Sequence, residues 1–66
     1  MAVIKIPANA ELDFLSRWRD YAKQNPDQQS LLDPIKAGPV SRNRIKFIEV
    51  DLAFLRVLHR DGFPFE

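Results

Sequence analysis

Cysteine is absent from this chain of 66 residues, so no disulfide can reinforce its fold. A domain of this size buries only about 60% of the surface that its unfolded chain exposes. Natural chains of similar length rely on disulfides, a metal, oligomerisation or very good helix packing. One histidine cannot build a zinc site unless several carboxylates converge on it. We therefore expect no cofactor, and we expect oligomerisation or helix packing to supply the missing stability.

Neither charge of one sign nor a long apolar run marks the sequence. Ten Lys and Arg against nine Asp and Glu leave a net charge of +1, far from the excess expected of a protein that depends on attraction to polyanions. The apolar start is too short for the core of a signal peptide, and no run approaches the roughly 18 apolar residues of a membrane span. Together with the lack of cysteine, these absences predict one soluble cytoplasmic domain over residues 1–66, without membrane contact.

The first half of the chain predicts a short strand and an amphipathic helix. Residues 2–6 are rich in β-branched side chains and precede a proline, which is typical of a strand that leads to a turn. The helix is expected over about residues 9–24, with Asn9 as its N-cap. Asp13 precedes Arg17 by four residues, the spacing of a favourable ion pair. A short helical turn is expected at 27–32, before a connection that contains Pro and Gly.

The second half predicts a longer helix over about residues 41–60. Ser41 is expected to be its N-cap, and Gly62 stands where a left-handed C-terminal cap belongs. With residues placed about 100° apart, apolar side chains surround most of the circumference. One stripe contains Ile45, Ile48, Leu52 and Leu55, and His59 extends it by a turn.

Such a helix must be buried on several sides, whereas the rest of the chain holds about one more good helix. The predicted fold is therefore mainly α, with two amphipathic helices, and the stripe is predicted to be the seam of a homodimer or of a complex with another protein.

Four further side chains could serve this interface or the core. Asp51 lies in the middle of the apolar arc, where it could meet solvent, form a buried structural pair or contact a partner. His59 could be a partly buried spacer or a pH-sensitive element of the interface. Phe63 and Phe65, near the end of the sequence, could dock on the core or on a partner with about equal reason.

The basic segment between residues 34 and 48 favours contact with phosphate as one alternative. It contains no acidic residue, and its cations would oppose the dipole at the start of the predicted helix. Phosphate contact would explain that placement; neutralisation by carboxylates of the first helix or of another copy is the other explanation. The candidate nucleic-acid contacts are Lys36, Arg42, Asn43, Arg44 and Lys46.

A resemblance to the turn and recognition helix of helix-turn-helix DNA-binding proteins is carried by residues 39–48, whose sequence is PVSRNRIKFI. In that family a small residue, an aliphatic residue and a serine precede an exposed polar triplet and an apolar pair. The resemblance implies a dimeric regulator that presents Arg42, Asn43, Arg44 and Lys46 to DNA.

Binding of another protein, without catalysis, is the function that the sequence favours. One His and no Cys offer few ways to assemble an acid, a base and an oxyanion site in 66 residues. We expect a small adaptor, regulator or inhibitor that acts through exposed apolar and Arg-bearing helix faces. The alternative is the DNA-binding regulator implied by the resemblance.

Overall fold

The computed structural model describes residues 1–26 and 33–66, so the helical turn expected at 27–32 lies outside the described residues. In chain order the elements are β1 (Ala2–Pro7), a 3₁₀ helix (Ala8–Ala10), α1 (Glu11–Gln24), β2 (Ile35–Ser41), β3 (Arg44–Val50) and α2 (Leu52–Arg60). The strands form an antiparallel sheet in the order β1-β3-β2. The fold is therefore α+β, and the prediction of a mainly α fold is wrong.

The predicted helix over residues 41–60 is instead a strand followed by a shorter helix. Ser41, the expected N-cap, is the last residue of β2, and a tight turn joins it to β3. Alternate side chains of a strand point to opposite faces of the sheet, and Ile45 and Phe47 are buried whereas Lys46 and Ile48 are only partly so. Because the 100° spacing of a helix does not apply to a strand, the nearly complete apolar circumference predicted for this segment does not exist.

A β-bulge in β3 brings its last residue back to the buried face. Ala2 pairs with Val50 and Ile4 pairs with Phe47, so two residues of β3 stand opposite one residue of β1. Glu49, one of those two, has φ 59, a left-handed conformation that costs a non-glycine residue about 1–2 kcal/mol. The extra residue restores the inward direction of Val50, which is fully buried.

The first helix and the first strand agree with the sequence prediction. Strand β1 covers the predicted residues 2–6, and α1 ends at Gln24 as expected. The predicted ion pair is present, with Arg17 Nε 3.1 Å from Asp13 Oδ2. Asn9, however, lies inside the 3₁₀ helix and not at the N-cap, which is Ala10 and makes no side-chain capping bond.

Helix α2 is fixed at both ends by local hydrogen bonds. The side chain of Asp51 caps its start, because Oδ2 accepts from the backbone N–H of Phe54 at 3.0 Å. At its end the N–H of Phe63 donates to Leu58 O at 2.9 Å and the N–H of Gly62 donates to His59 O at 3.1 Å, the two bonds of a Schellman motif. Gly62 has φ 75, which confirms the predicted left-handed cap.

The core lies between the two helices and one face of the sheet. Phe14 of α1 is fully buried, and its ring centroid lies 4.6 Å from that of Phe47, 5.7 Å from that of Phe54 and 6.1 Å from that of Phe63. The buried apolar residues are Ile4, Ile6, Phe14, Trp18, Ile45, Phe47, Val50, Phe54, Leu58 and Phe63. Neither helix in the described part of the chain is long and apolar enough to cross a bilayer.

Replacement of Gly62 by Ala is expected to destabilise the protein by about 1 kcal/mol, because alanine resists the left-handed conformation. A Cβ at this position would meet no atom within 4 Å, so the cost is conformational and not steric. For a domain of this size, that loss lowers the melting temperature by about 4–8 °C. Gly62→Asn is the matched control, since asparagine tolerates this conformation better. A Gly62→Ala variant that melts with or above the wild type would contradict the cap.

Candidate interaction surface

The sheet carries its helices on one face, and the side chains of the other face are exposed or only partly buried. Within β1, Val3 and Lys5 alternate with the buried Ile4 and Ile6. Directly paired residues of neighbouring strands share a face, and the pairs Lys5–Lys46 and Ile35–Ile48 extend this second face across the sheet. We call it the open face, and its members are Val3, Lys5, Ile35, Arg44, Lys46 and Ile48.

An apolar row crosses the open face from strand to strand. Val3 of β1 lies opposite the bulge that contains Ile48 of β3, and Ile48 pairs with Ile35 of β2. Val3 is 57% exposed, Ile35 is 48% exposed and Ile48 is partly buried. The solvated face of an antiparallel sheet is usually polar, so three aliphatic side chains in one row need an explanation.

A basic row lies beside the apolar one. Lys5 and Lys46 are directly opposite each other on β1 and β3, and Arg44 follows Lys46 on the same face of β3. Arg44 Nη2 lies 3.2 Å from Glu66 Oε1. The backbone holds Glu66 in place, because it exchanges two hydrogen bonds with Lys5, of 3.0 and 2.9 Å, along the free edge of β1. Among the described residues, neither Lys5 nor Lys46 forms an ion pair.

The small net charge of the chain hides an uneven distribution. The segments 1–7 and 42–50 together with Glu66 hold four cations, namely Lys5, Arg42, Arg44 and Lys46, against two carboxylates, Glu49 and Glu66. The rest of the sequence holds six cations against seven carboxylates. Strands β1 and β3, the turn before β3 and Glu66 therefore have a charge of +2 and the remainder −1, which together give the net +1.

The residues predicted as one seam are distributed over several surfaces. Ile45 is buried in the core while Ile48 lies on the open face, because they stand on opposite sides of β3. Leu52 and His59 are exposed on α2, and Leu55 packs partly against the core.

The two aromatic residues near the end of the sequence are directed inward. Phe63 is buried in the core and Phe65 packs partly against it.

The candidate nucleic-acid contacts are divided as well. Arg42 and Asn43 form the turn between β2 and β3, and Arg44 and Lys46 are on the open face. Lys36 is directed to the helices, where its Nζ lies 2.9 Å from Glu11 Oε2. The recognition helix implied by the helix-turn-helix resemblance is not formed, because its residues make this hairpin.

Asp51 joins the two helices in addition to capping α2. Partial burial is the largest cause of a raised pKa of Tyr21; the nearby Asp51 carboxylate adds to it, both by its charge and by accepting a hydrogen bond from the phenol. Trp18, another donor on α1, bonds elsewhere, with its Nε1 2.8 Å from Asp33 Oδ1. Asp51 thus has a structural role, because it caps α2 and contacts Tyr21 of α1.

A groove of about 390 Å³ lies between α1 and α2, and its charged walls compensate each other. Arg17 Nη1 is 3.5 Å from Asp61 Oδ2, and Arg60 Nε is 3.3 Å from Asp61 Oδ1. The guanidinium of Arg17 also stands 5.4 Å from the centre of the Phe63 ring. These contacts secure the end of α2 to α1. No cluster of three potential metal ligands occurs in residues 1–26 and 33–66.

Sequence reasoning missed the contribution of Val3, Lys5 and Ile35 to this surface. The alternation of residues 2–6 was a sufficient signal for the two residues of β1, since a strand that buries Ile4 and Ile6 must expose Val3 and Lys5. No comparable signal marks Ile35, because its strand contains Gly38 and Pro39 and lacks regular alternation.

Comparison of the chain with protein-family models, with curated proteins and with solved structures finds no match. Function is therefore inferred from the geometry and charge of the surface.

Asp51→Asn is expected to lower the pKa of Tyr21, because it removes a carboxylate and keeps an oxygen that can cap α2. A raised pKa in the folded state means that the neutral phenol favours folding. That contribution is complete below the ordinary pKa of 10.0 and is lost as the pH rises through the higher folded value. The free energy of unfolding should therefore fall above about pH 10 in the wild type, and fall less in Asp51→Asn.

Tyr21 is the single tyrosine of the chain, so tyrosinate absorbance reports its titration directly. An unchanged titration in Asp51→Asn would contradict the contact. Asp51→Ala is the matched comparison, since it should also remove the cap and destabilise the protein by about 0.5–2 kcal/mol.

Proposed function

We propose that this chain is a non-enzymatic module that binds another protein, as an adaptor, regulator or inhibitor, through the open face of its sheet. The proposal keeps the function expected from the sequence and moves the binding surface from the helices to the sheet. What supports it is the position of exposed aliphatic and basic side chains on a face that no described helix covers.

The observation that carries the proposal is the apolar row of Val3, Ile48 and Ile35. Single exposed apolar residues are normal on a protein surface, but a contiguous group bordered by polar residues is typical of an interaction site. Here the group spans all three strands and is bordered by Lys5 and Lys46. Because the strands fix its backbone, such a surface binds with little loss of conformational entropy.

Contact with nucleic acid is less well supported by this surface. Single-stranded nucleic acid is usually bound by aromatic side chains on which bases stack. The rings of the described aromatic residues lie in or against the core, and the open face has aliphatic side chains in their place. Duplex DNA read by a recognition helix would need the helix that β3 replaces.

A homodimer remains a prediction, but the open face is poorly suited to it. Two copies that meet through this face would bring Lys5, Lys46 and Arg44 of one chain close to the same cations of the other. Like charges in close contact oppose association. A different protein with complementary charge is the better partner for this surface.

The double substitution Val3→Glu with Ile35→Glu is expected to abolish partner binding while the fold persists, because both side chains are largely exposed. Tagged wild type and variant are used for affinity capture from the native cytosol after nuclease treatment, and captured proteins are quantified. Circular dichroism checks the fold.

Leu12→Glu is the matched control for this experiment. Leu12 is 82% exposed on α1, so the same change of chemistry falls on the other layer of the molecule. Protein capture that persists in the sheet variant would contradict the proposed surface, and so would capture that occurs only in a parallel sample without nuclease.

A further inference from the structure

From the charge of the open face we infer the chemistry of its partner: an amphipathic helix with apolar and acidic side chains that lies on the sheet along the strands. This inference rests on the proposed function and specifies the partner at the same site. It commits to an acidic protein segment, and a second copy of this chain and a nucleic acid become outcomes of the test.

The first argument is the pair of lysines at the centre of the face. Like charges directly opposite each other on neighbouring strands destabilise a sheet, yet Lys5 pairs with Lys46. The five ion pairs among the described residues include neither lysine. An external carboxylate above the pair would relieve their mutual repulsion and gain two attractive contacts.

The second argument is that the chain already places one carboxylate at this face. Glu66 contacts Arg44 at 3.2 Å, and Glu66 pairs through its backbone with Lys5. Arg44 therefore already binds a carboxylate at the border of the open face.

The third argument is dimensional. Neighbouring strands lie about 4.8 Å apart, so three strands offer a width of about 10 Å, which matches the diameter of a helix with its side chains. Val3 and Lys5 are two residues apart on β1, or about 6.6 Å along the strand. Residues i and i+4 of a helix are separated by about 6 Å along its axis. A helix with an apolar residue at i and a Glu at i+4 therefore reaches both rows.

The probe that tests this inference is a fluorescein-labelled, alanine-based helical peptide of about five turns that carries Leu and Glu four residues apart on one face. Fluorescence anisotropy measures its binding to the full chain. Three competitors test its separate properties. A peptide with Lys in place of Glu lacks the negative charge, a peptide with Ser in place of Leu lacks the apolar side chains, and a short DNA duplex supplies negative charge without a peptide. The acidic Leu peptide should bind most tightly.

Charge reversal of the basic row provides the decisive variant. Lys5→Glu with Lys46→Glu should weaken peptide binding by about tenfold or more, because two attractive contacts become repulsive. The matched control is Arg19→Glu with Lys23→Glu, which changes the net charge equally on the exposed side of α1 and should alter binding by less than about twofold. Glu66→Gln should tighten binding, because it releases Arg44 from its internal carboxylate.

Several results would overturn the inference. These are absence of peptide binding, equal weakening by the two double variants, or preference for the Lys peptide. Tighter binding of the duplex, with a steep fall as salt rises, would assign the face to nucleic acid. A dimer in sedimentation that the Val3 and Ile35 substitutions disrupt and the Leu12 substitution does not would assign it to a second copy. If the Val3 and Ile35 substitutions still abolish protein capture while the Lys substitutions do not, the proposed function survives and the acidic partner is excluded.

Discussion

The ring of Phe14 is the contact on which both layers of this protein depend. It belongs to α1, and the rings that surround it come from β3, from α2 and from the segment after α2. The packing of three other segments around one fully buried side chain of α1 compensates for the lack of a disulfide. The ring of Phe54 on α2 also lies 5.1 Å from that of Trp18 and 5.3 Å from that of Tyr21, so α1 contributes two more aromatic side chains to the cluster.

The helices pack around a single aromatic cluster, so they cover only one face of the sheet. The other face remains as the candidate surface. Both described helices pack on the face of the sheet that contains Ile4, Ile6 and Phe47. The opposite side keeps Val3, Ile35 and Ile48 next to opposed lysines. Aliphatic groups favour removal from water, and opposed cations favour a carboxylate between them. We propose that one partner satisfies both requirements.

The sequence predicted β1 from its β-branched residues before a proline, and α1 from its amphipathic period and the Asn-Pro step at its end. It also predicted Gly62, since a glycine after an apolar helix indicates a left-handed cap. The strand β3 was missed because its apolar residues run directly into those of α2. Asp51 marks the boundary, yet it was interpreted as part of an apolar arc and not as an N-cap.

The open face could be predicted only in part, because Val3 and Lys5 follow from the alternation within β1 but the complete surface does not follow from local sequence. It depends on the pairing of Lys5 with Lys46 and of Ile35 with Ile48, which are far apart in the chain. A helix with an all-round apolar surface in so small a protein was itself a sign that the assigned period was wrong. The measurement that tests the account most directly is a nuclear Overhauser map of residues 41–52. Antiparallel cross-strand contacts between the backbones of Lys5 and Lys46, and of Ile6 and Ile45, are expected. Helical contacts between residues three apart through 44–50 would contradict the sheet and the surface built on it.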